Sequence, residues 1–342
     1  MKQSLRTPSV SVHYLSIITN ALKRMGYPAI QGNDYDNTLN EDERYIQRVS
    51  ADVLFDTWQQ AEQLTQDPLI GLHIGERIHP MDFGLLGQLM MNCHSLGEAI
   101  EQVFAAEFVL NNAFASQVII TKELAINRIY DGQYEANTMR HVAEQDISAL
   151  INIGAFVMNR DYCDSDRPIE VHFRHSAGGS VAEYERTLGC PVKFDQQYSQ
   201  VIFPIAVLEQ PIYNPSPRVA KLLAAELQSL IEDIELSDAL ATRIWRYLRT
   251  QDFAALPDIE QTACHFNMTP RTLQRHLQQE ETSFQYELNQ FKAVLAKNML
   301  NNKKQPISKT AYNLGFHDLS SFHKAFKRWT GLTPGEYQRS LP

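Results

Sequence analysis

The sequence predicts an α+β N-terminal domain, an antiparallel sheet with helices on it, followed by an all-α C-terminal domain of two short helix pairs joined by a longer helix. Three observations carry that expectation. Apolar residues recur at helical spacing at both ends of the chain, whereas residues 116–205 contain short β-branched runs. Three prolines, Pro211, Pro215 and Pro217, interrupt the chain between the two patterns. The charge is also divided. From Pro257 onward there are 11 Lys and Arg against 7 Asp and Glu, a balance of +4 in a chain of net charge −9, so the preceding residues carry −13. A basic tail on an acidic body suits one part meeting an anionic polymer and another meeting something else.

At 342 residues the chain is long enough for two or three cores. No apolar run approaches the roughly 20 residues that span a bilayer. Residues 1–30 lack a signal-peptide layout, because Lys23 and Arg24 follow the apolar stretch rather than precede it. Cys93, Cys163, Cys190 and Cys264 are far apart and form no CxxC. Neither a disulfide framework nor a zinc knuckle is expected, the cytoplasm is the default compartment, and each cysteine is read as a small buried apolar residue.

In chain order, Val12, Leu15, Ile18, Leu22 and Met25 mark an amphipathic helix that Gly26-Tyr27-Pro28 stops. A polar loop is expected over 31–41. A second helix is expected through Val49, Val53, Leu54, Trp58 and Leu64. Ser95 with Glu98 has the spacing of a capping box, and the helix it starts is expected to continue through Ile100, Val103, Phe104 and Phe108. Strands are expected at 117–121, 125–130, 168–173, 191–194 and 200–203, with helices at 138–159 and 182–188 between them, so that 41–205 form one α+β domain. A helix over 218–235 reads as a hinge or a dimer helix, and Ser237 is placed as the cap of the next. The expected divisions are 1–210, a linker region at 211–236, and 237–342.

In the tail, Thr269-Pro270 is a cap followed by proline at the first helical position, a strong start signal. The helix that follows turns Leu273 and Leu277 inward and leaves Arg271, Thr272, Gln274, Arg275 and Gln278 outside. These residue types suit bases and phosphates: Arg forks on guanine, Gln on adenine, and hydroxyls reach phosphate. The second pair repeats the plan. Ile307, Ala311 and Leu314 form a support helix, Gly315 ends it, Phe316 anchors the turn and Asp318 opens the next helix. Phe322, Phe326 and Trp329 recur at core spacing, which leaves Ser320, Ser321, Lys324, Lys327 and Arg328 outside. Between the pairs, Phe284, Leu288, Phe291, Leu295 and Met299 mark a helix of about 18–20 residues, about 27–30 Å long. One turn of B-DNA is about 34 Å, so this helix can set two reading helices into successive major grooves.

At these residues the tail resembles the AraC/XylS-family DNA-binding domain. Gly315-Phe316-x-Asp318-x-x-Ser321-Phe322-x-x-Ala325-Phe326-Lys327-Arg328-Trp329-x-Gly331-x-x-Pro334-x-x-Tyr337 carries nearly every position of the family's second motif, and Thr269-Pro270-Arg271-Thr272-Leu273-Gln274-Arg275 matches its first recognition helix. The resemblance implies two helix-turn-helix units, with base contacts from Arg271, Gln274 and Arg275 in the first and from the positions of Ser320, Ser321 and Lys324 in the second. One departure is Glu281, where the family usually has glycine before Thr-Ser-Phe. A side chain there strains or reshapes the turn into the linking helix.

The N-terminal body resembles the sensor domain of an AraC-type subgroup that includes regulators of ornithine and arginine use. The resemblance rests on Asp67-Pro-Leu-Ile-Gly-Leu-His-Ile-Gly75, Phe83-Gly-Leu-Leu-Gly87, Ser95-Leu-Gly-Glu-Ala99 and the later Leu188-Gly189-Cys190-Pro191-Val192. The strand-poor residues 1–110 rule against a cupin barrel. The resemblance implies a small-molecule sensor that also dimerises. Met81, Phe83, Met90, Met91, Phe104 and Phe108 are the candidates for an apolar ligand cavity, with plain core as their bland reading. His73 with His79, or His172 with His175, lacks the carboxylate or cysteine that would complete a metal set, and the glycines at 71, 75, 84 and 87 lack the strand–GxGxxG–helix context of a dinucleotide site. No cofactor or metal is therefore expected.

The reading that follows is a DNA-binding transcription regulator, an activator, controlled by a small-molecule effector. Its expected partners are double-stranded DNA, RNA polymerase and a second copy of the chain in a homodimer. The alternative is a constitutive DNA-binding regulator whose body only dimerises. An enzyme with a DNA-binding tail, in the manner of DNA-alkylation repair proteins, is disfavoured, because no cysteine cluster and no nucleophile–base pair is visible.

Overall fold

A three-residue strand, β1 (Ser9–Ser11), runs straight into α1 (Val12–Arg24), and Ser11 caps the junction by accepting the Tyr14 N–H at 3.1 Å. The structure is a computed structural model and describes residues 8–28, 30, 39–130, 134–249, 251, 253–300 and 306–340. Most of the expected loop at 31–41 therefore lies outside the described residues. Its end, Asn40, caps a short helix that the pattern did not announce, α2 (Glu41–Ile46), with Glu43 closing the capping box. Next, β2 (Arg48–Ser50) pairs antiparallel with β1, Val49 opposite Val10. Val49 is thus in a strand, and α3 (Ala51–Thr65) begins two residues later. One apolar residue ahead of Val53 and Leu54 fits either period, and pairing with β1 decides it.

After α4 (Ile70–Gly75) and a 3-10 turn at Pro80–Phe83 come α5 (Leu85–Met90) and α6 (Leu96–Ala105). Ser95 accepts the Glu98 N–H at 3.2 Å, but the Glu98 carboxylate accepts from His94 N–H at 2.7 Å, one residue short of a closed capping box. The helix expected to reach Phe108 breaks at Ala106 and resumes as α7 (Glu107–Leu110). The break places the Glu107 carboxylate where it accepts from the Ser116 N–H and hydroxyl at 2.8 and 3.1 Å.

The strands β3 (Ala115–Ile120) and β4 (Leu124–Tyr130) precede the long α8 (Arg140–Met158). Then follow β5 (Glu170–His172), α9 (Val181–Leu188), β6 (Val192–Lys193) and β7 (Ser199–Pro204). The sheet order is β3-β4-β7-β5-β6. All its pairings are antiparallel except β5 with β6, where α9 carries the chain back to the starting end. α4 lies hard against α8: a Cβ on Gly71 would stand 2.5 Å from the His141 carbonyl oxygen, and one on Gly75 2.6 Å from that of Gln145. These glycines are there for packing. Neither could become alanine without one of the two helices moving. Cys93 and Cys190 are buried as expected, but Cys163 and Cys264 are exposed. α10 (Pro217–Ser237) follows the proline-rich segment. Pro8–Asp131 with Glu135–Ile234 form one compact unit, and the residues from Glu235 onward belong to another.

The second unit is helical: α11 (Leu240–Arg249), α12 (Ile259–His265), α13 (Pro270–Gln279), α14 (Phe284–Leu300), α15 (Ile307–Asn313), α16 (Leu319–Thr330) and α17 (Pro334–Ser340). Ser237, expected as the cap of α11, is the last residue of α10. The first amides of α11, Leu240 and Ala241, instead donate to the Glu280 carboxylate at 2.6 and 3.0 Å. Glu287, buried on α14, accepts from Trp245 Nε1 at 2.8 Å and ties α11 to α14. One apolar core gathers Ile244, Leu248, Leu273, Leu277, Phe291, Leu300, Leu314, Phe322 and Phe326, with Trp329 and Tyr337 packed at its edge. Gly315 stands at φ 76°, and a Cβ there would meet the Ala254 carbonyl oxygen at 2.3 Å, so both turn and packing exclude a side chain.

Candidate functional site

Both helix pairs of the C-terminal unit are entered by the same construction. In the first, the chain leaves α12 through Asn267, held left-handed at φ 52°. Thr269 then caps α13: its Oγ1 accepts the Thr272 N–H at 3.2 Å and lies 2.9 Å from the Thr272 hydroxyl. Leu273 and Leu277 are fully buried, which fixes the roll of α13 and leaves Arg271, Gln274, Arg275 and Gln278 exposed on one stripe at i, i+3, i+4 and i+7. Thr272 is half-buried, with its hydroxyl engaged at the cap.

In the second pair, Asp318 plays the part of Thr269. Its carboxylate accepts the Ser321 N–H at 2.8 Å and the Ser321 hydroxyl at 2.6 Å. These bonds hold the Asp318 carboxyl below its usual range, so it stays ionised as the cap. Phe322 and Phe326 are fully buried and turn Ser320, Ser321, Lys324, Lys327 and Arg328 outward, all exposed. Gly331, at φ 82°, ends the helix. Guanidinium, amide, hydroxyl and ammonium groups thus stand on two helix faces with their buried sides committed to one core. Such faces can fork onto base edges and pair with phosphates. α14 between them has 17 residues, about 25 Å, slightly shorter than the sequence expectation.

A second site lies inside the N-terminal unit. A cavity of about 150 Å³ opens between α1, α5, α6, α7 and α8 and one face of the sheet. Alternation in the strands sets that face: Ser116 and Val118 of β3 and Ala125, Asn127 and Ile129 of β4 point in. From α8, Asp146, Ile147, Leu150 and Ile153 form the opposite stripe. Of the six candidates from the sequence, Phe83, Met90 and Phe104 stand on the wall. Met81, Met91 and Phe108 do not: Met81 is 49% exposed in its 3-10 turn, and Met91 and Phe108 are half-buried elsewhere.

Sequence reasoning missed the polar groups of this cavity. Tyr14, Glu107, Asn111 and Asp146 all line it. The Tyr14 hydroxyl lies 3.1 Å from Asp146 Oδ1 and 3.2 Å from Gln145 Oε1. Burial, reinforced by the nearby Glu107 charge, pushes the Asp146 carboxyl up to about 8, while the Tyr14 hydrogen bond works the other way. The Tyr14 phenol is raised well above its usual value, by burial first and then by Asp146. Asn111 is 3% exposed, and its Oδ1 accepts the Phe114 N–H at 3.1 Å. One signal was available: Asp146 is an acid on the stripe of α8 that otherwise carries Ile147, Leu150 and Ile153.

The histidines weighed for metal are engaged locally. His73 contacts Asp67 at 2.6 Å and Glu183 at 3.1 Å, His79 Nδ1 accepts the Met81 N–H at 3.1 Å, and His172 contacts Glu170 at 2.7 Å. Buried His175 lies 3.8 Å from Glu144.

Family models match both halves of the chain. The family model described as the arabinose-binding domain of the AraC transcription regulator, N-terminal, matches residues 41–212, half of the chain, and a helix-turn-helix domain model matches 262–340. The chain is 27% identical to the ornithine utilization regulator of Pseudomonas aeruginosa over 282 residues, 82% of this chain and 81% of that one. It is 23% identical to the regulator VqsM of the same organism, over 79% of this chain and 84% of that one. The crystal structure of the transcriptional regulator CdpR from Pseudomonas aeruginosa is 20% identical and aligns with 96% of this chain and 98% of its own at a TM-score of 0.45. With an N-terminal domain of the matched kind, here an open sheet with helices, and a C-terminal helix-turn-helix domain, the chain belongs to the AraC family of DNA-binding transcription regulators.

Proposed function

We propose that this regulator is an activator switched by a small-molecule effector held in the N-terminal cavity, and that it reads its operator with both helix-turn-helix units. The division of labour is the one expected from the sequence: residues 1–210 sense and dimerise, 211–236 link, and 237–342 bind DNA. Arg271, Gln274 and Arg275 on α13, and Ser320, Ser321 and Lys324 on α16, contact bases. Thr272, Gln278, Lys327 and Arg328 contact the backbone. RNA polymerase and a second copy of the chain are the protein partners. The observation that carries the reading is the pair of exposed polar stripes, each fixed in roll by buried residues of one shared core. An apolar cavity with a few polar groups in the N-terminal domain supports the effector. One relative is named for ornithine utilisation, in keeping with small-molecule control.

The test has two parts. Mobility-shift titration at fixed salt, on DNA selected from a random pool by the full chain, measures the reading helices. Arg275→Ala and Lys324→Ala should each weaken binding, and unchanged affinity in both would remove them from the interface. A thermal-shift screen against amino acids, polyamines, fatty acids and small amines measures the sensor. If no compound shifts either melting or DNA binding, the domain only dimerises and the regulator is constitutive.

A further inference from the structure

We infer that the N-terminal cavity selects a small organic cation: a protonated amine whose apolar body fills the space and whose ammonium group sits between Asp146 and Glu107. The inference rests on the reading of this cavity as the effector site and narrows its chemistry.

Three observations point the same way. The first is the void itself. Apolar cores are close-packed, and a partly open space of about 150 Å³ between these elements is of the size that accommodates a benzene ring. Its walls are mostly aliphatic and aromatic: Leu86, Ile100, Phe104, Val118, Ile147 and Phe203 among them. The second is where the polar groups lie. Two carboxylates, Asp146 from α8 and Glu107 from α7, line one cavity, and the groups acting on Asp146 are that second acid and the Tyr14 phenol. Glu107 already accepts from Ser116, and its charge with burial keeps the proton on Asp146; a cation beside the two acids favours the ionised form of Asp146 instead. The third is Asn111, 3% exposed on the cavity wall, whose Oδ1 is committed to the Phe114 N–H. Its amide adds a polar group to a mostly apolar wall. It offers the ligand one further polar contact.

A sugar fits less well. A pentose presents four hydroxyls that all require partners, and the polar groups here are few among mostly apolar neighbours. A free carboxylate on the ligand would face Asp146 and Glu107.

Occupancy has a proton signature. With its carboxyl pushed up to about 8, Asp146 carries a proton at neutral pH, while an ammonium ligand favours its ionised form. The ligand keeps its own proton, and the Asp146 proton leaves to solvent. Affinity for an amine should therefore rise as pH goes from about 6 to 8 and then level off. Tyr14 and Glu107 are the titratable neighbours of Asp146. The phenol stays protonated throughout this window.

The experiment is calorimetric titration of the full chain with benzylamine, benzyl alcohol and L-arabinose at pH 7, in two buffers of different ionisation enthalpy. Benzylamine should bind about tenfold or more tighter than benzyl alcohol, with proton release that Asp146→Asn abolishes. The same substitution should shrink the preference to about threefold or less, because a neutral amide cannot compensate an ammonium charge. Asp146→Asn keeps the size of the side chain, and Glu107→Gln is the second variant if the first does not fold. Equal or tighter binding of benzyl alcohol or L-arabinose overturns the cation claim and leaves the sensor reading standing. A benzylamine preference that survives both substitutions also overturns it. Binding of none of the three, together with no hit in the wider screen, overturns both.

Discussion

Glu281 is the residue at which the chain departs from its family's glycine, and its backbone stands at φ 58° in the region that side chains disfavour. The turn keeps its hydrogen bonds, Glu281 N–H to Gln278 O at 3.0 Å and Thr282 N–H to Leu277 O at 2.9 Å, so the cost is local strain. Glu281→Gly should raise stability by up to about 1 kcal/mol in thermal melts, part of the gain being offset by the freer unfolded chain. Its neighbour Glu280 works in the opposite sense. It caps α11 from 40 residues away, and Glu280→Ala should cost about 1–2 kcal/mol in chemical denaturation while Glu280→Gln retains most of the bond. Asp146 makes a prediction about pH. Its folded value, about 8, lies above the ordinary 3.8, so the folded state holds its proton more tightly than the unfolded chain does. The associated stability is present below about pH 4 and is lost as pH rises through 8. Melting temperature should fall between pH 5 and pH 8 in the parent and fall less in Asp146→Asn. An identical slope in the two proteins would contradict the assignment.

At the scale of elements, what the sequence showed depended on how local the cause was. α13 and α16 were legible almost to the residue, because Thr269-Pro270, Asp318 and Gly331 are start and stop signals that act within one turn. Phe322 and Phe326 were read as core from spacing alone, and they are fully buried. The misreadings share a long-range cause. Ser237 looked like a cap until the Glu280 carboxylate supplied one from another helix. Val49 fits either period, and its pairing with Val10 settles it. The parallel β5–β6 edge follows from α9 crossing over, which strand patterns do not record. The cavity was half legible for the same reason. Phe83, Met90 and Phe104 announce an apolar lining, but Tyr14 and Asp146 stand 132 positions apart, with Glu107 and Asn111 between them, and the four meet only in the fold. Because α13 and α16 are separate elements, their contributions to DNA affinity should add. Arg275→Ala and Lys324→Ala should each cost about 1–3 kcal/mol in titrations, and the double variant about their sum.

The molecule as a whole joins an acidic N-terminal part to a basic C-terminal part, and its central feature is the distance built into the second. α14, 17 residues and about 25 Å long, separates two helix-turn-helix units that share one core. The helix itself falls short of the about 34 Å of one turn of B-DNA, but α13 and α16 lie on either side of it in the chain, and they should enter successive major grooves on one face of the duplex. The most direct test is hydroxyl-radical and guanine-methylation footprinting of the full chain on its selected operator. The account predicts that each bound copy protects two major-groove windows about 10–10.5 base pairs apart, with Arg275→Ala losing one window and Lys324→Ala losing the other. A single window per copy, or two windows that neither substitution disturbs, would contradict it.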